Sequence, residues 1–189
     1  MGVSALAVYL FRDHIGTGAG LIAMLIGFGL LIAINMTRAN PVLSLGLFYA
    51  FAFAEGVGIT PIVSYYLHVA PDVVFNAAST TGAGMAALGC IVYATGLDLR
   101  RFTGILMLAL LGLIVVGIVS LFVHFLSPTI YSWGVLIIFT GFTLIDFARI
   151  RAGGDGYTPV QLATQIYLDV LNIFIALLQI FGNQSRRSD

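Results

Sequence analysis

QLATQIYLDVLNIFIALLQIFG, residues 161–182, is apolar and long enough to cross a bilayer as a helix, which takes about 20 residues. Four polar side chains interrupt it, namely Gln165, Asp169, Asn172 and Gln179. Their spacings of four, three and seven residues place them on one helix face. An aspartate near mid-bilayer costs roughly 2.5–3.5 kcal/mol on insertion scales, so this face must look toward other helices or water. The stretch therefore predicts the central helix of a membrane bundle.

The composition predicts an all-α polytopic protein that lies in the lipid bilayer as a single transmembrane domain over residues 1–189. Of the 189 residues, 60% are hydrophobic and 8% charged, whereas soluble domains carry about 25% charged residues. A net charge of zero argues against a nucleic-acid partner. Cys90 is alone, which excludes a disulfide within the chain. We expect no metal site from His14, His68 and His124, which are scattered.

Six more apolar segments precede the central one, and the first is too short to span a membrane. They cover residues 3–11, 16–36, 42–65, 76–96, 103–126 and 130–148. We interpret the first as the remnant of a truncated helix. In the third, Glu55 is followed by two glycines and Pro61, and we expect the helix to loosen there. A loop is predicted around residues 66–75.

The arginines predict the orientation, because all eight basic residues are arginine and most lie in alternate loops. The positive-inside rule makes the loops with Arg38, Arg100, Arg101, Arg149 and Arg151 cytoplasmic. A fully spanning last segment puts Arg186 and Arg187 outside, against that rule. Either the last segment is re-entrant, or the two terminal arginines are tolerated.

Three acidic residues, Glu55, Asp146 and Asp169, lie within apolar segments, where ionisable groups are functional candidates by default. Asp146 is near the cytoplasmic end of the sixth segment, and Asp169 is about 12 Å into the last one. We expect the two aspartates to meet, to share a proton and to titrate as a unit. Without the proton they would form an oxygen-rich site, with both as possible ligands of Ca²⁺.

Structural alternatives exist for each of these residues. Asp146 can simply pair with Arg149, three residues further along the helix. Arg38 is either an interfacial arginine or a latch whose guanidinium bonds to the aspartates. Glu55 is either bonded to a neighbouring hydroxyl or lines a pore toward the outer half of the membrane. Asn172 shares the face of Asp169 and is predicted to line the same pore.

Three stretches resemble the Bax inhibitor motif family, over about Arg38 to Gly182. They are FAFAEGVGITPIVSYY at 51–66, LIDFARI at 144–150 and YLDVLNIFIALLQIFG at 167–182. The resemblance implies seven helices, with the last surrounded by the others and the first cut short here. Bacterial members are pH-sensitive calcium leak channels gated by two aspartates, which match Asp146 and Asp169. Arg38 in NMTRANP matches an arginine that bridges to that pair.

One departure concerns the acidic residue near the outer end of the pore. In the bacterial protein that the chain resembles most, this residue is on the second helix, where the chain has Gly27. We expect Glu55, on the third helix, to serve instead. Eukaryotic relatives suppress cell death, but a lysine-free chain without a targeting tail looks like a bacterial plasma-membrane protein.

The sequence thus predicts a calcium leak channel, gated by protonation of Asp146 and Asp169, with Ca²⁺ and H⁺ as its ions and no cofactor. A non-transporting modulator of a membrane protease or a cell-death pathway, with membrane-protein partners, is the alternative. An intramembrane aspartyl protease is a weaker one, because the GxGD motif is absent before Asp169. We therefore expect no enzyme.

Overall fold

A computed structural model describes residues 1–12, 15–123 and 126–188, and over these the chain is entirely helical, without strands. The predicted all-α class is confirmed. The α-helices are α1 (Gly2–Phe11), α2 (Thr17–Met36), α3 (Pro41–Val69), α4 (Pro71–Thr95), α5 (Thr103–Val123), α6 (Pro128–Arg151) and α7 (Pro159–Ser188), with one turn of 3-10 helix at Arg100–Phe102. The predictions for His14, His124 and the end of the fifth segment fall outside the described residues.

Among the described residues, the six helices α2 to α7 are long and apolar enough to cross a membrane. The chain is therefore a polytopic integral membrane protein. The ten residues of α1 are too few to span, as the sequence predicts. In the most apolar part of α7, half of the residues are buried inside the protein, which is the largest share among the six helices. In the most apolar part of α5, no residue is buried.

Several helices extend beyond the apolar segments, and the loop predicted around residues 66–75 is wrong. The helix α3 continues to Val69 and α4 begins at Pro71, so that Ala70 alone connects them. The N–H of Ala70 still bonds to the Tyr66 carbonyl, at 2.8 Å. Proline suits the first position of a helix, where an N–H has no intrahelical partner. Hydropathy identifies only the part of a helix that lies in the hydrocarbon of the bilayer, and these helices continue beyond that part.

The expected loosening of the third helix is also wrong, because α3 runs unbroken through Pro61. Its glycines instead allow close packing within one group of helices. A Cβ at Gly56 would lie 2.6 Å from the Cα of Ser4 on α1. A Cβ at Gly58 would lie 2.6 Å from the side chain of Met24 on α2. Small residues let membrane helices approach closely, and here they bring α1 and α2 against α3.

The chain divides into two compact units. The first unit comprises Met1–Pro71 and Tyr157–Thr164, and the second comprises Asp72–Gly156 and Gln165–Asp189. The first turns of α7 thus belong to the first unit and the rest of α7 to the second. The single domain and the central position of α7 stay predictions.

In the first unit, the start of α7 is fixed by a reciprocal capping box. The backbone N–H of Thr158 donates to Oε1 of Gln161 at 3.0 Å, and the N–H of Gln161 donates to Oγ1 of Thr158 at 3.3 Å. This satisfies two N–H groups that a helix start leaves without partners. The Gln161 amide also donates to Oδ1 of Asn35, at 3.0 Å. The capping box therefore sets both where α7 begins and its contact with α2.

In the second unit, two hydrogen bonds set the register between α6 and α7. The Ser132 hydroxyl donates to Oε1 of Gln179 at 2.6 Å, and the Asn183 amide donates to Oγ1 of Thr129 at 3.2 Å. The two helices are antiparallel, so the same register continued along them places Asp169 level with Phe142 and Thr143. It follows that Asp169 lies about one helical turn from the level of Asp146.

Candidate functional site: a buried aspartate pair

Asp146 is held by a buried ion pair on its own helix. Nη1 of Arg149 donates to Oδ1 of Asp146 at 2.7 Å, and the two residues are only 8% and 3% exposed. Nη2 of Arg149 donates to Oγ1 of Thr103 at 3.2 Å. The local pairing that the sequence left open is therefore present, and it also ties α6 to the start of α5. The charge of Asp146 is matched by a guanidinium.

Asp169 has one carboxylate oxygen without a hydrogen-bond donor among the described residues. It is 3% exposed, and its Oδ2 accepts no hydrogen bond from any residue that the structure describes. The Asp146 carboxylate and the Arg149 guanidinium act on it electrostatically, and a side-chain hydrogen bond with Thr143 acts on it as well. The Thr143 hydroxyl also donates to the carbonyl of Phe139, at 2.8 Å. The charge of Asp146 thus acts on Asp169, and one oxygen of Asp169, Oδ2, is left without a donor among the described residues.

Gln165 lies on the same face of α7 as Asp169, as the sequence predicts. Its Oε1 is buried and, within the described part of the chain, also accepts no hydrogen bond. Gln165 precedes Asp169 by four residues, a spacing that puts two side chains side by side on a helix. That spacing was visible in the sequence, but only the structure shows that both oxygens lack a donor.

The other predicted site residues have contacts of their own. Asn172 donates to the carbonyl of Leu168 on its own helix, at 2.8 Å, and its place in a pore stays a prediction. Arg38 belongs to the first unit, where its Nε donates to the Asn35 carbonyl at 3.2 Å. A bond from Arg38 to the aspartates also stays a prediction.

Glu55 reaches the surface of α2 at Gly27. A Cβ built on Gly27 would collide with Oε1 of Glu55. The carboxylate of the third helix therefore occupies the space that any side chain at position 27 would need. Whether Glu55 serves in place of an acidic residue of the second helix stays a prediction.

The aspartate pair suits a proton better than a resident cation. Oδ1 of Asp146 is taken by Arg149, whose positive charge opposes a metal ion at the same place. In the described residues, no three His, Cys, Asp or Glu side chains come together as a metal site. We therefore treat Asp146 and Asp169 as a proton site.

The fold and the site define a class: a polytopic helical membrane protein with a buried, partly paired carboxylate site. The chain belongs to the family described as "Inhibitor of apoptosis-promoting Bax1", whose model matches residues 1–186. It is 30% identical to an uncharacterized membrane protein of Streptococcus pyogenes serotype M3, over 95% of this chain and 84% of the relative. It is 26% identical to an uncharacterized protein of Campylobacter jejuni, over 99% and 80%. A protein of Chlamydia muridarum is 33% identical, over 76% and 66%.

Proposed function

We propose that this protein is a pH-sensitive calcium leak channel of a bacterial plasma membrane, gated by proton occupancy of Asp146 and Asp169. The observation that carries the proposal is the buried Oδ2 of Asp169, which has no hydrogen-bond donor among the described residues. An ionised carboxylate without a partner is very costly in a membrane interior. Protonation of Asp169 removes that cost, so the charge of the site depends on the pH.

Gating arises from the change of charge at the site. With Asp146 and Asp169 sharing one proton, the site including Arg149 is neutral. When the proton leaves as the pH rises, the site carries one net negative charge in a place with little water. Two carboxylates in one low-dielectric site repel each other, which favours another arrangement of α6 and α7. We propose that this rearrangement controls the passage of Ca²⁺.

Three further residues complete the proposal. Glu55, with its carboxylate over Gly27, is proposed to line the outer half of the pathway. Asn172 is proposed to line it beside Asp169. Arg38 is proposed to bind the deprotonated aspartates and so to stabilise one of the two gating states. We further propose that the chain has no enzymatic activity and no resident cofactor.

Calcium flux into liposomes containing the purified protein, measured over a series of pH values, tests the proposal. The wild type is expected to show a flux that changes with pH. Asp169→Asn is expected to abolish that pH dependence, and Asp146→Asn is expected to alter it because it removes one of the two repelling charges. Asp72→Asn is the matched control, because Asp72 is exposed at the start of α4.

Three results would contradict parts of the proposal. No calcium flux above that of protein-free liposomes at any pH would exclude the leak. Flux whose pH dependence is unchanged in both aspartate variants would exclude the gate. A Na⁺ flux equal to the Ca²⁺ flux would exclude a calcium-selective pathway.

A further inference from the structure

The two aspartates of the site differ in their surroundings. Asp146 receives a short hydrogen bond from Arg149, at 2.7 Å, within a pair that is almost fully buried. Asp169 receives none at Oδ2 from the described residues. A proton added to Asp146 would weaken a charge-assisted bond, whereas a proton added to Asp169 would create a donor where one is missing. The carboxyls are therefore unequal acceptors of one proton.

The nearest unsatisfied group along α7 is another acceptor. Oε1 of Gln165 is buried without a partner among the residues described, one turn before Asp169. Cβ atoms four residues apart on a helix are about 5–6 Å from each other, so the two side chains can meet. An ionised Asp169 would offer this oxygen lone pairs only. A protonated Asp169 can donate its O–H to it, so that one proton satisfies two buried acceptors.

We infer that the exchangeable proton of the site resides on Asp169 and is donated to Gln165, while Arg149 keeps Asp146 ionised. Gln165 is then a positioning residue that sets the pH at which Asp169 titrates. Within the second unit, the charged groups that act on Asp169 are Asp146 and Arg149. The inference deepens the proposed function by naming the residue that carries the proton, and its test does not depend on calcium flux.

Infrared difference spectroscopy of the purified protein in nanodiscs, recorded over a pH series, tests the inference through the C=O stretch of protonated carboxyl groups. All samples carry Glu55→Gln, which removes the third carboxyl of the apolar segments. The Asp169→Asn variant should lack the band that titrates in the protein with both aspartates. The Asp146→Asn variant should retain it with a midpoint at lower pH, because the positive charge of Arg149 is then left to act on Asp169. The reverse pattern would overturn the inference.

Gln165→Met tests the role of the amide oxygen, because methionine keeps the length of the side chain but accepts only weak hydrogen bonds. Loss of the acceptor destabilises the protonated form, so the midpoint should move to lower pH. A neutral hydrogen bond contributes about 0.5–1.5 kcal/mol, which corresponds to a shift of roughly half to one pH unit. Gln184→Met is the matched control, since Gln184 is exposed on the same helix.

An unchanged midpoint in Gln165→Met would overturn the role of Gln165. A midpoint at higher pH would do so too, because it would mean that the amide N–H₂ group donates to the ionised carboxylate. Thermal unfolding supplies a second readout. In the Glu55→Gln background, the amide that Asp169→Asn introduces is a permanent donor, so this variant should lose less stability as the pH rises than the protein with both aspartates. Equal pH dependence in both proteins would contradict the inference.

Discussion

The buried ion pair of Arg149 and Asp146 allows a quantitative prediction. Arg149→Met leaves the carboxylate of Asp146 buried without its cation. Removing one partner of a buried pair costs about 3–5 kcal/mol, and the low exposure of 8% and 3% leaves little screening by water. The lost bond to Thr103, 3.2 Å long, adds about 1 kcal/mol. We expect Arg149→Met to be destabilised by at least about 3 kcal/mol on this scale.

The double variant Arg149→Met, Asp146→Leu removes both charges. Replacing a buried pair by apolar residues is often neutral or stabilising, so the double variant should regain most of the stability that the single variant loses. The four proteins form a double-mutant cycle, and the coupling energy should be several kcal/mol. The loss in the single variant should also shrink as the pH falls, because a proton neutralises the lone carboxylate.

The assay is reversible unfolding of the purified protein in mixed micelles with increasing sodium dodecyl sulfate, followed by circular dichroism. Arg101→Met is the control, because Arg101 is exposed and its guanidinium lies over the ring of the neighbouring Phe102. Surface substitutions of this kind usually change stability by about 0.5 kcal/mol or less. If Arg149→Met behaves like Arg101→Met, the ion pair does not hold Asp146 in the way described.

Three further predictions concern packing, capping and pH. Gly56→Ala should lower the free energy of unfolding by about 1–3 kcal/mol, because the added Cβ meets the backbone of α1. Gly46→Ala, which has open space around it, should raise the free energy of unfolding by about 0.5–1 kcal/mol. Equal melting temperatures of the two variants would contradict this. Gln161→Ala should cost about 1–2 kcal/mol and speed hydrogen exchange at the start of α7, and unchanged exchange would exclude the capping role. Arg100 lowers the pKa of the exposed Asp98 carboxyl from 3.8 to about 2, chiefly through a side-chain hydrogen bond. The stability from this pair is therefore present above the ordinary pKa and lost as the pH falls toward 2. An NMR titration should show a higher pKa of Asp98 in Arg100→Gln, and an unchanged pKa would refute the assignment.

The membrane segments could be predicted from the sequence because apolar runs of this length suit the hydrocarbon of a bilayer and little else. The ends of the helices could not be predicted, because the apolar run stops at the edge of the hydrocarbon whereas the backbone hydrogen bonds of the helix continue beyond it. The turn at Ala70 shows this, since polar residues on both sides of it remain helical. Pro61 shows the converse, because packing in the first unit keeps a helix regular where local preference would break it.

The two aspartates could be predicted for a similar reason, since a carboxylate in an apolar segment is costly and stands out. The difference between the surroundings of the two aspartates could not be predicted, because it depends on which carboxylate oxygens receive a hydrogen bond in the folded protein. The spacing of Asp146 and Arg149 permits a local pair, but only the structure shows it at 2.7 Å. The same holds for Gln165, whose polarity is evident in the sequence and whose missing donor is not.

The central claim is that proton occupancy of the buried aspartates controls the calcium leak. The most direct test records calcium flux and the protonated-carboxyl infrared band on the same liposomes over one pH series. We predict that the two midpoints coincide and that Gln165→Met moves both to lower pH together. Midpoints that differ, or a flux midpoint that stays in place while the band moves, would contradict the claim.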